Sequence, residues 1–338
     1  MLAHRRETLA AARRRAAQVP VKAIVPFVFL GAVVAAMGAI EPYALTYSGL
    51  TLLLVGALPL VFGTMSQLFT MAAGDIDLGL GAFIGLINAL SAVVLRSHPF
   101  YGGLLLVASI GVYVLMGLFI GVRHVPSLVL TFGLGSVWLG IALILLPTPG
   151  GIVPPALVTA LNEQTPLVPE PILICVVLAV LCYWFLMRTR LGVQLRAVGA
   201  NPEAADRAGI SVIGRRAILF AGSGLMGVMA GLVLSGESGS GDPNGGSSLL
   251  LLTIAAVIVG GGEFTGGEVD PIGAVAAALA LSLLTSLLDF LNISANYEIG
   301  TEGLVLLVAV ALRITSKWLS GGLARTTQTA EGIRGATQ

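Results

Sequence analysis

Residues 103–122 read GLLLVASIGVYVLMGLFIGV and contain no charged side chain. A helix needs about 20 mainly apolar residues to cross the hydrocarbon core of a bilayer. The run is continuous and does not alternate, so it predicts a transmembrane helix and not a strand of a membrane barrel. Because lipid admits only helices and closed barrels as spanning structures, this run predicts a helical membrane protein.

The rest of the 338-residue chain has the same character. Hydrophobic residues make up 56% of it and charged residues 10%, and its mean hydropathy is +0.97. A soluble domain carries about a quarter charged residues. The composition therefore excludes a soluble globular protein, a disordered chain and a nucleic-acid-binding module. It predicts an all-α polytopic membrane protein that binds membrane lipids and no nucleic acid.

About ten segments are predicted to cross the membrane. They are 24–40, 42–74, 78–95, 103–122, 128–146, 171–187, 217–236, 248–259, 271–288 and 299–317. Pro59 is expected to interrupt the second crossing, and the eighth is predicted to be short or broken because it has only a dozen residues. The first follows a long basic segment, so an uncleaved crossing is favoured over a signal peptide.

The placement of basic residues predicts the orientation. With ten crossings, 17 of the 18 lysines and arginines lie on one side, and Arg96 is the exception. Cytoplasmic loops are enriched in Lys and Arg, so both termini are predicted to be cytoplasmic. The predicted organisation is a basic N-terminal segment (1–22), one membrane domain (23–319) with a cytoplasmic loop at 188–216, and a polar tail (320–338) that we expect to be disordered.

A short helix with two marked ends is predicted within this loop, where residues 200–209 read ANPEAADRAG. Asn201 suits the N-cap and Pro202 the first helical position. Acidic residues follow in the first turns, and Gly209 suits a left-handed C-terminal cap. Such a short helix is marginal alone in water. It is therefore expected to dock on a cytoplasmic partner or, alternatively, to rest on its own membrane domain or on lipid headgroups.

Asp75 and Asp77 are the only acidic residues between Glu41 and Glu163. Ionisable groups in a membrane segment are costly and often functional. The two carboxylates are predicted either to cap the crossing at 78–95 or to line a polar pathway or gate. A metal-binding pair is a third reading, but the scattered histidines and cysteines and the absence of a further acidic cluster predict no metal site.

The glycines of 260–267 resemble a second break in the other half of the chain, of the same kind as the one around Asp75 and Asp77. Paired broken segments in two halves are typical of a pseudo-repeat around a central path. Glu268 and Asp270 are then expected to cap the following crossing.

Four ordered motifs carry a family resemblance. They are AGDIDLGLGA at 73–82, VPSLVLTFG at 125–133, RTRLG at 188–192 followed by GANPEAADRAGI at 199–210, and IAAVIVGGGEFTGG at 254–267. Together they resemble the permease family of ribose-, xylose- and galactose-type sugar importers, which belongs to the ABC-importer permeases. The resemblance implies a type II architecture, like that of the vitamin B12 permease, in the bacterial inner membrane.

The resemblance also implies the partners. In that family the loop helix docks into a groove of a separate ATP-binding subunit, and this role would fall here on Ala200, Asn201, Pro202, Glu203, Ala204, Ala205, Asp206 and Gly209. A periplasmic or lipid-anchored sugar-binding protein is implied, as is a second permease copy or a paired permease. Neither Lys22 nor Lys317 stands in a phosphate-loop motif. We therefore expect no enzyme activity and no directly bound cofactor, with ATP and Mg²⁺ used by the partner.

Sugars need hydrogen-bonding groups along their path. The predicted pathway or gate residues are Gln67, Asp75, Asp77, Asn88, Gly261, Gly262 and Asn292, and further polar residues near membrane depth are Thr64, Ser66, Thr70 and Asn296. For each of the polar side chains, ordinary interhelical hydrogen bonding is the alternative.

The expected function is translocation of a pentose, hexose or related polyol by a binding-protein-dependent ABC importer. Within the same superfamily, the alternatives are a nucleoside, a branched-chain amino acid or an autoinducer-type sugar derivative. Two alternatives come from other classes. They are a proton-coupled secondary transporter that uses Asp75 or Asp77, and a membrane transferase that uses the same pair.

Overall fold

Helices account for nearly all the regular structure of residues 24–162 and 168–291, which together with Gly300 and Gly303 are the residues that the computed structural model describes. In chain order they are α1 (Ile24–Ile40), α2 (Tyr47–Ala72), α3 (Leu80–Leu95), α4 (Pro99–Arg123), α5 (Ser127–Leu145), α6 (Pro155–Asn162), α7 (Glu170–Arg188), α8 (Arg190–Ala200), α9 (Pro202–Arg207), α10 (Val212–Ser238), α11 (Leu249–Val259) and α12 (Pro271–Phe290).

Six of these helices are long and apolar enough to cross a membrane: α2, α4, α5, α7, α10 and α12. Three shorter apolar helices, α1, α3 and α11, occupy further predicted crossings. The prediction of a polytopic helical membrane protein is confirmed. The terminal segments 1–22 and 320–338 lie outside the described residues, as does the predicted crossing at 299–317 apart from Gly300 and Gly303.

The predicted interruption of the second crossing at Pro59 is wrong. Helix α2 continues through Pro59 from Tyr47 to Ala72. A proline removes one backbone donor from the helix, but every residue of α2 from Ala57 onward is buried. Packing on all sides holds the helix together, and neighbouring helices can offset the lost bond.

Helix α10 lies at the centre of the bundle, between α2 and α4. A Cβ added to Gly117 on α4 would lie 2.9 Å from Cβ of Phe220 and 3.0 Å from Cα of Ala217, so the two backbones touch. Gly227 and Gly231 on α10 meet Phe83 and Ile87 of α3 in the same way. Glycines spaced four apart thus bring helices together within the chain, as small residues do in lipid.

We predict that Gly117→Leu lowers the stability of the purified protein, whereas Gly111→Leu on the same helix does not. A side chain at 117 would have to displace Phe220 and the α10 backbone, while nothing lies within 4 Å of a Cβ added at 111. Overpacking of this kind costs about 1–3 kcal/mol. Thermal unfolding in detergent, followed by size-exclusion chromatography, measures the difference. Equal melting temperatures for the two variants would contradict the α4–α10 packing.

Candidate functional site

The short helix α9 has the two caps that its sequence predicts. The Asn201 side-chain oxygen accepts a hydrogen bond from the Ala204 amide at 2.9 Å, and Pro202 occupies the first helical position. At the other end Gly209 is left-handed, with φ of +79°, and its amide donates to the Asp206 carbonyl at 2.8 Å. Both ends of α9 are therefore fixed by residue type.

Helix α9 leaves most of its surface uncovered. Of its residues, Ala205 alone is buried, while Pro202, Glu203, Ala204, Asp206 and Arg207 are exposed. The preceding helix α8 is different, because Leu195 and Val198 are buried. The chain thus anchors α8 and presents α9 with an open face toward its surroundings.

Two non-helical segments, residues 73–79 between α2 and α3 and residues 260–270 between α11 and α12, are called here the first and the second break. The end of α8 touches both through four glycines, which we call the glycine junction: Gly74, Gly199, Gly266 and Gly267. A Cβ added to Gly199 would overlap the carbonyl oxygen of Ala72. The Gly267 amide donates to that same oxygen at 3.2 Å. A Cβ added to Gly266 would lie 2.7 Å from Cα of Gly74. At Gly199 no side chain separates α8 from the Ala72 carbonyl or the Gly267 amide, so α8 packs directly against both breaks.

The first break, residues 73–79, is tied to helix α10 by an ion pair. Nε of Arg216 lies 2.9 Å from Oδ2 of Asp75, and Nη2 donates to Oδ1 at 3.4 Å. The Nε contact is close without hydrogen-bond alignment, so the pair is mainly electrostatic. The two side chains are only 16% and 7% exposed. Asp75 therefore fastens the break to the first turns of α10 and does not cap α3.

Asp77 is the centre of a buried hydrogen-bond network at the start of α3. Its Oδ1 accepts from the Gly79 amide at 2.8 Å and its Oδ2 from the Tyr113 hydroxyl at 2.7 Å. With its carboxamide oriented to satisfy both partners, Gln67 donates to the Asp77 carbonyl and accepts from the Asp77 amide, each at 3.2 Å. The Leu78 amide donates to Thr131 Oγ1 at 3.1 Å. The side chain and backbone of Asp77 are thus satisfied within the protein.

The second break carries the predicted cap. Asp270 Oδ1 accepts from the amides of Ile272 and Gly273 at 3.1 and 3.2 Å, so Asp270 caps α12. Gly261 has a φ of +114° and forms the turn after α11, and the Gly262 amide donates to the Val257 carbonyl at 2.8 Å. Both breaks are therefore built of glycine and aspartate, and they meet at the glycine junction.

The remaining predicted residues lie elsewhere. Asn88 is 1% exposed and accepts from the Asp242 amide at 3.3 Å, well along α3 from the breaks. Ser66 contacts the Ser223 hydroxyl at 2.9 Å across two helices, which fits the alternative of interhelical bonding. Asn292 and Asn296 lie outside the described residues. The structure brings Gln67 into contact with Asp77 and places Asp75 next to Gly74 of the glycine junction, and a pathway role for all of these residues stays a prediction.

Three residues at this site escaped the sequence reasoning: Gly199, Arg216 and Tyr113. Arg216 is one of six arginines in 188–216, and only the fold selects it as the partner of Asp75. Tyr113 carries the one aromatic hydroxyl in the 103–122 run. A hydroxyl in an apolar run signals a buried partner, and that signal was available.

These observations define a class: a helical membrane protein whose buried breaks meet an exposed, capped loop helix. Residues 49–310 match the family described as branched-chain amino acid transport system / permease component. Because the match covers more than half of the chain, the chain belongs to this family.

Several relatives are similar over long stretches. The D-allose transport system permease protein of Escherichia coli (strain K12) is 26% identical over 300 residues, which cover 86% of this chain and 91% of the relative. The xylose transport system permease protein of Haemophilus influenzae is 31% identical over 150 residues, covering 44% and 40%. The ribose import permease protein of Bacillus subtilis (strain 168) is 28% identical over 145 residues, covering 43% and 45%. No solved structure matches the chain significantly.

The family gives the chain a general role. It is a multi-pass permease component of the inner membrane and not an enzyme. Permeases of ABC importers work with ATP-binding and substrate-binding partners.

We predict that Asp75→Asn or Arg216→Gln alone lowers the free energy of unfolding by up to about 3–5 kcal/mol, because each leaves a largely buried charge without its partner. The double variant is expected to be more stable than either single variant, since no unpaired charge remains. Unfolding in SDS, monitored by tryptophan fluorescence, measures all three.

Arg96→Gln serves as the control, because this arginine is exposed. Single variants as stable as the Arg96 control would show that the Asp75–Arg216 contact contributes nothing to the fold.

Proposed function

We propose that the chain is the membrane-spanning subunit of a binding-protein-dependent ABC importer that translocates a monosaccharide. The observation that carries the proposal is its similarity to the D-allose permease protein over 86% of the chain. The xylose and ribose proteins add similarity of the same kind. A pentose, a hexose or a related polyol is the proposed substrate.

The proposed topology has ten crossings, with both termini in the cytoplasm and a type II architecture. Helices at the first nine predicted crossings support it. The loop at 188–216 is then cytoplasmic, and residues 1–22 and 320–338 flank one membrane domain. Two copies of the chain, or this chain and a paired permease, enclose the pathway. A periplasmic or lipid-anchored binding protein delivers the sugar.

The proposed energy source is ATP, bound with Mg²⁺ by a separate subunit and not by this chain. Helix α9 docks on that subunit through its exposed face, with Ala200 to Gly209 as the contact region. ATP-driven closure of the partner subunits pushes α9, and α8 transmits the push to the glycine junction. The breaks at 73–79 and 260–270 then rearrange, which shifts the population between outward-facing and inward-facing states.

We predict that Glu203→Lys and Ala204→Asp both reduce uptake and the coupling of ATP hydrolysis to transport, while membrane insertion persists. Lysine at 203 places a positive charge at the N-terminus of α9, which disfavours the helix, whereas aspartate at 204 favours it. A shared defect therefore reports docking and not helix stability. Uptake by cells and ATPase activity of the purified complex are the measurements.

The matched control is Glu203→Asp, which keeps the charge and should keep transport. Normal uptake by both test variants would count against docking through α9.

A reconstitution experiment separates the function classes. We expect proteoliposomes with the permease, its ATP-binding subunit and its binding protein to take up D-allose, D-xylose or D-ribose only when ATP is supplied. The permease alone, under a pH gradient, should take up none of them. Proton-driven uptake by the isolated permease would instead establish a secondary transporter.

One alternative substrate is favoured by a specific observation, because the family description names branched-chain amino acids. Leucine, isoleucine and valine therefore belong in the same uptake assay. ATP-dependent uptake of one of these, without uptake of the sugars, would replace the proposed substrate and leave the transporter class intact.

A further inference from the structure

Residues 239–248 connect α10 to α11 and read GSGDPNGGSS. Such a polar, glycine-rich connection is expected beyond the ends of the helices, in water. The structure instead lays this segment along the side of α3.

The contacts follow α3 in order. A Cβ added to Gly241 would lie 2.7 Å from Cβ of Ala92. The next residue, Asp242, donates its amide to Asn88 at 3.3 Å. The Pro243 carbonyl fills the space beside Gly85, and a Cβ added to Gly81 would lie 2.7 Å from the Gly246 carbonyl oxygen. The segment therefore descends along α3 from residue 92 to residue 81, about 16 Å at the helical rise per residue.

The segment begins at the end of the bundle opposite α9. The amides and carbonyls of Gly241 and Gly150 bond to each other reciprocally at 2.8 Å, just beyond the end of α5, and the Val153 amide donates to the Gly239 carbonyl at 3.4 Å. From there it reaches the first turn of α3, which starts at Leu80. Because α3 is an apolar helix within the membrane domain, the segment lies at membrane depth.

Irregular backbone at membrane depth is found only where it is buried in protein or lines a water-filled cavity. One side of the segment is buried, because Gly241, Pro243 and Gly246 are covered by α3 and its neighbours. The other side is open, since Asn244, Ser247 and Ser248 are exposed.

The exposed side chains Asn244, Ser247 and Ser248 are neutral hydrogen-bonding groups, and the partly exposed Asp242 beside them accepts from the Asn244 amide at 2.9 Å. Ser247 donates its hydroxyl to the Asn244 carbonyl at 2.7 Å and keeps its oxygen free to accept. The Asn244 carboxamide and the Ser248 hydroxyl form no hydrogen bond to the part of the chain that the structure describes. An amide or hydroxyl that faces hydrocarbon without a partner is costly, so this side faces water.

We propose that residues 242–248 form one wall of the aqueous translocation pathway, with Asn244, Ser247 and Ser248 as contacts for the substrate's hydroxyl groups. Neutral amides and hydroxyls suit a polyhydroxylated, uncharged ligand. No lysine or arginine occurs in 236–248, so this segment has no cationic side chain to pair with an anionic ligand. The ligand class rests on the proposed sugar transport, whereas the aqueous wall rests on the geometry alone.

The wall is connected to the breaks by α3 itself. Gly81, beside Gly246, lies only two positions beyond Gly79, where the first break ends. Asn88, predicted as a pathway residue, lies on the buried side of the wall and accepts a hydrogen bond from the Asp242 amide. A shift of α3 at the first break therefore changes the position of the wall.

Cysteine accessibility tests the wall. In a background carrying Cys175→Ala and Cys182→Ala, single cysteines replace Asn244, Ser247 and Ser248 in the assembled transporter, and a charged, membrane-impermeant methanethiosulfonate is applied. Val177→Cys is the matched control, because Val177 is 55% exposed in the apolar middle of α7. Thiolates form in water and not in lipid, so we expect the three positions to react at least about tenfold faster than position 177.

The same assay tests the ligand class. The transported sugar, added with its binding protein, is expected to slow modification at position 244. Rates at all three positions equal to that at 177 would overturn the aqueous wall. Rapid modification without protection, in a complex that imports the sugar, would overturn the sugar contacts. Rapid modification in a complex that imports none of the three sugars would support the wall and refute only the proposed substrate.

A transport measurement on variants of Asn244, with assembly as the check on folding, separates loss of the contact from loss of folding. Asn244→Ala is expected to raise the sugar concentration for half-maximal uptake by about 2- to 10-fold, the effect of one lost hydrogen bond. Asn244→Gln, which keeps the amide, should recover part of the loss. Assembly with the ATP-binding subunit reports correct folding in both. Unchanged uptake by assembled Asn244→Ala would overturn the contact at Asn244.

Discussion

Backbone amides and carbonyls that enter the membrane must find partners within the protein, and the rest of this structure depends on how three irregular segments meet that demand. At 73–79 the Asp77 backbone bonds to the Gln67 side chain. At 260–270 the Gly267 amide bonds to the carbonyl of Ala72. At 239–248 the Asp242 amide bonds to Asn88. In each place a polar side chain or a neighbouring carbonyl satisfies a backbone group that a helix would satisfy by its own hydrogen bonds. The bundle can therefore contain non-helical segments without losing its packing.

The same bonds connect the surface of the protein to its interior. Gly199 ends α8 against the Ala72 carbonyl, so no flexible side chain absorbs a displacement there. The break beyond Ala72 is tied to α10 by Asp75 and Arg216 and to α4 by Asp77 and Tyr113. Close-packed interiors transmit strain because they contain few voids. A push on α9 would therefore reach several helices, and the two breaks lack the continuous helical hydrogen bonds that would resist it.

The sequence predicted the features that depend on local residue type. The caps of α9 and α12 follow from Asn201, Gly209 and Asp270, whose side chains or conformations act within a few residues. The helices follow from apolar runs. The partner of Asp75 could not be predicted, because Arg216 is 141 positions away and only packing of α10 against the break selects it. The predicted interruption at Pro59 was wrong for a related reason, since the burial that keeps α2 continuous comes from other helices.

The position of residues 239–248 also depends on distant packing and could not be predicted from local sequence. Composition alone makes GSGDPNGGSS a surface loop, because glycine, proline and serine are typical of turns. The segment packs into the membrane domain because two glycines of α3 leave room for its backbone. Gly81 accommodates the Gly246 carbonyl and Gly85 the Pro243 carbonyl. A pathway that is walled by backbone and small neutral side chains holds its substrate weakly. Weak contacts suit a permease whose substrate is selected by a separate binding protein, because conduction needs release as much as entry.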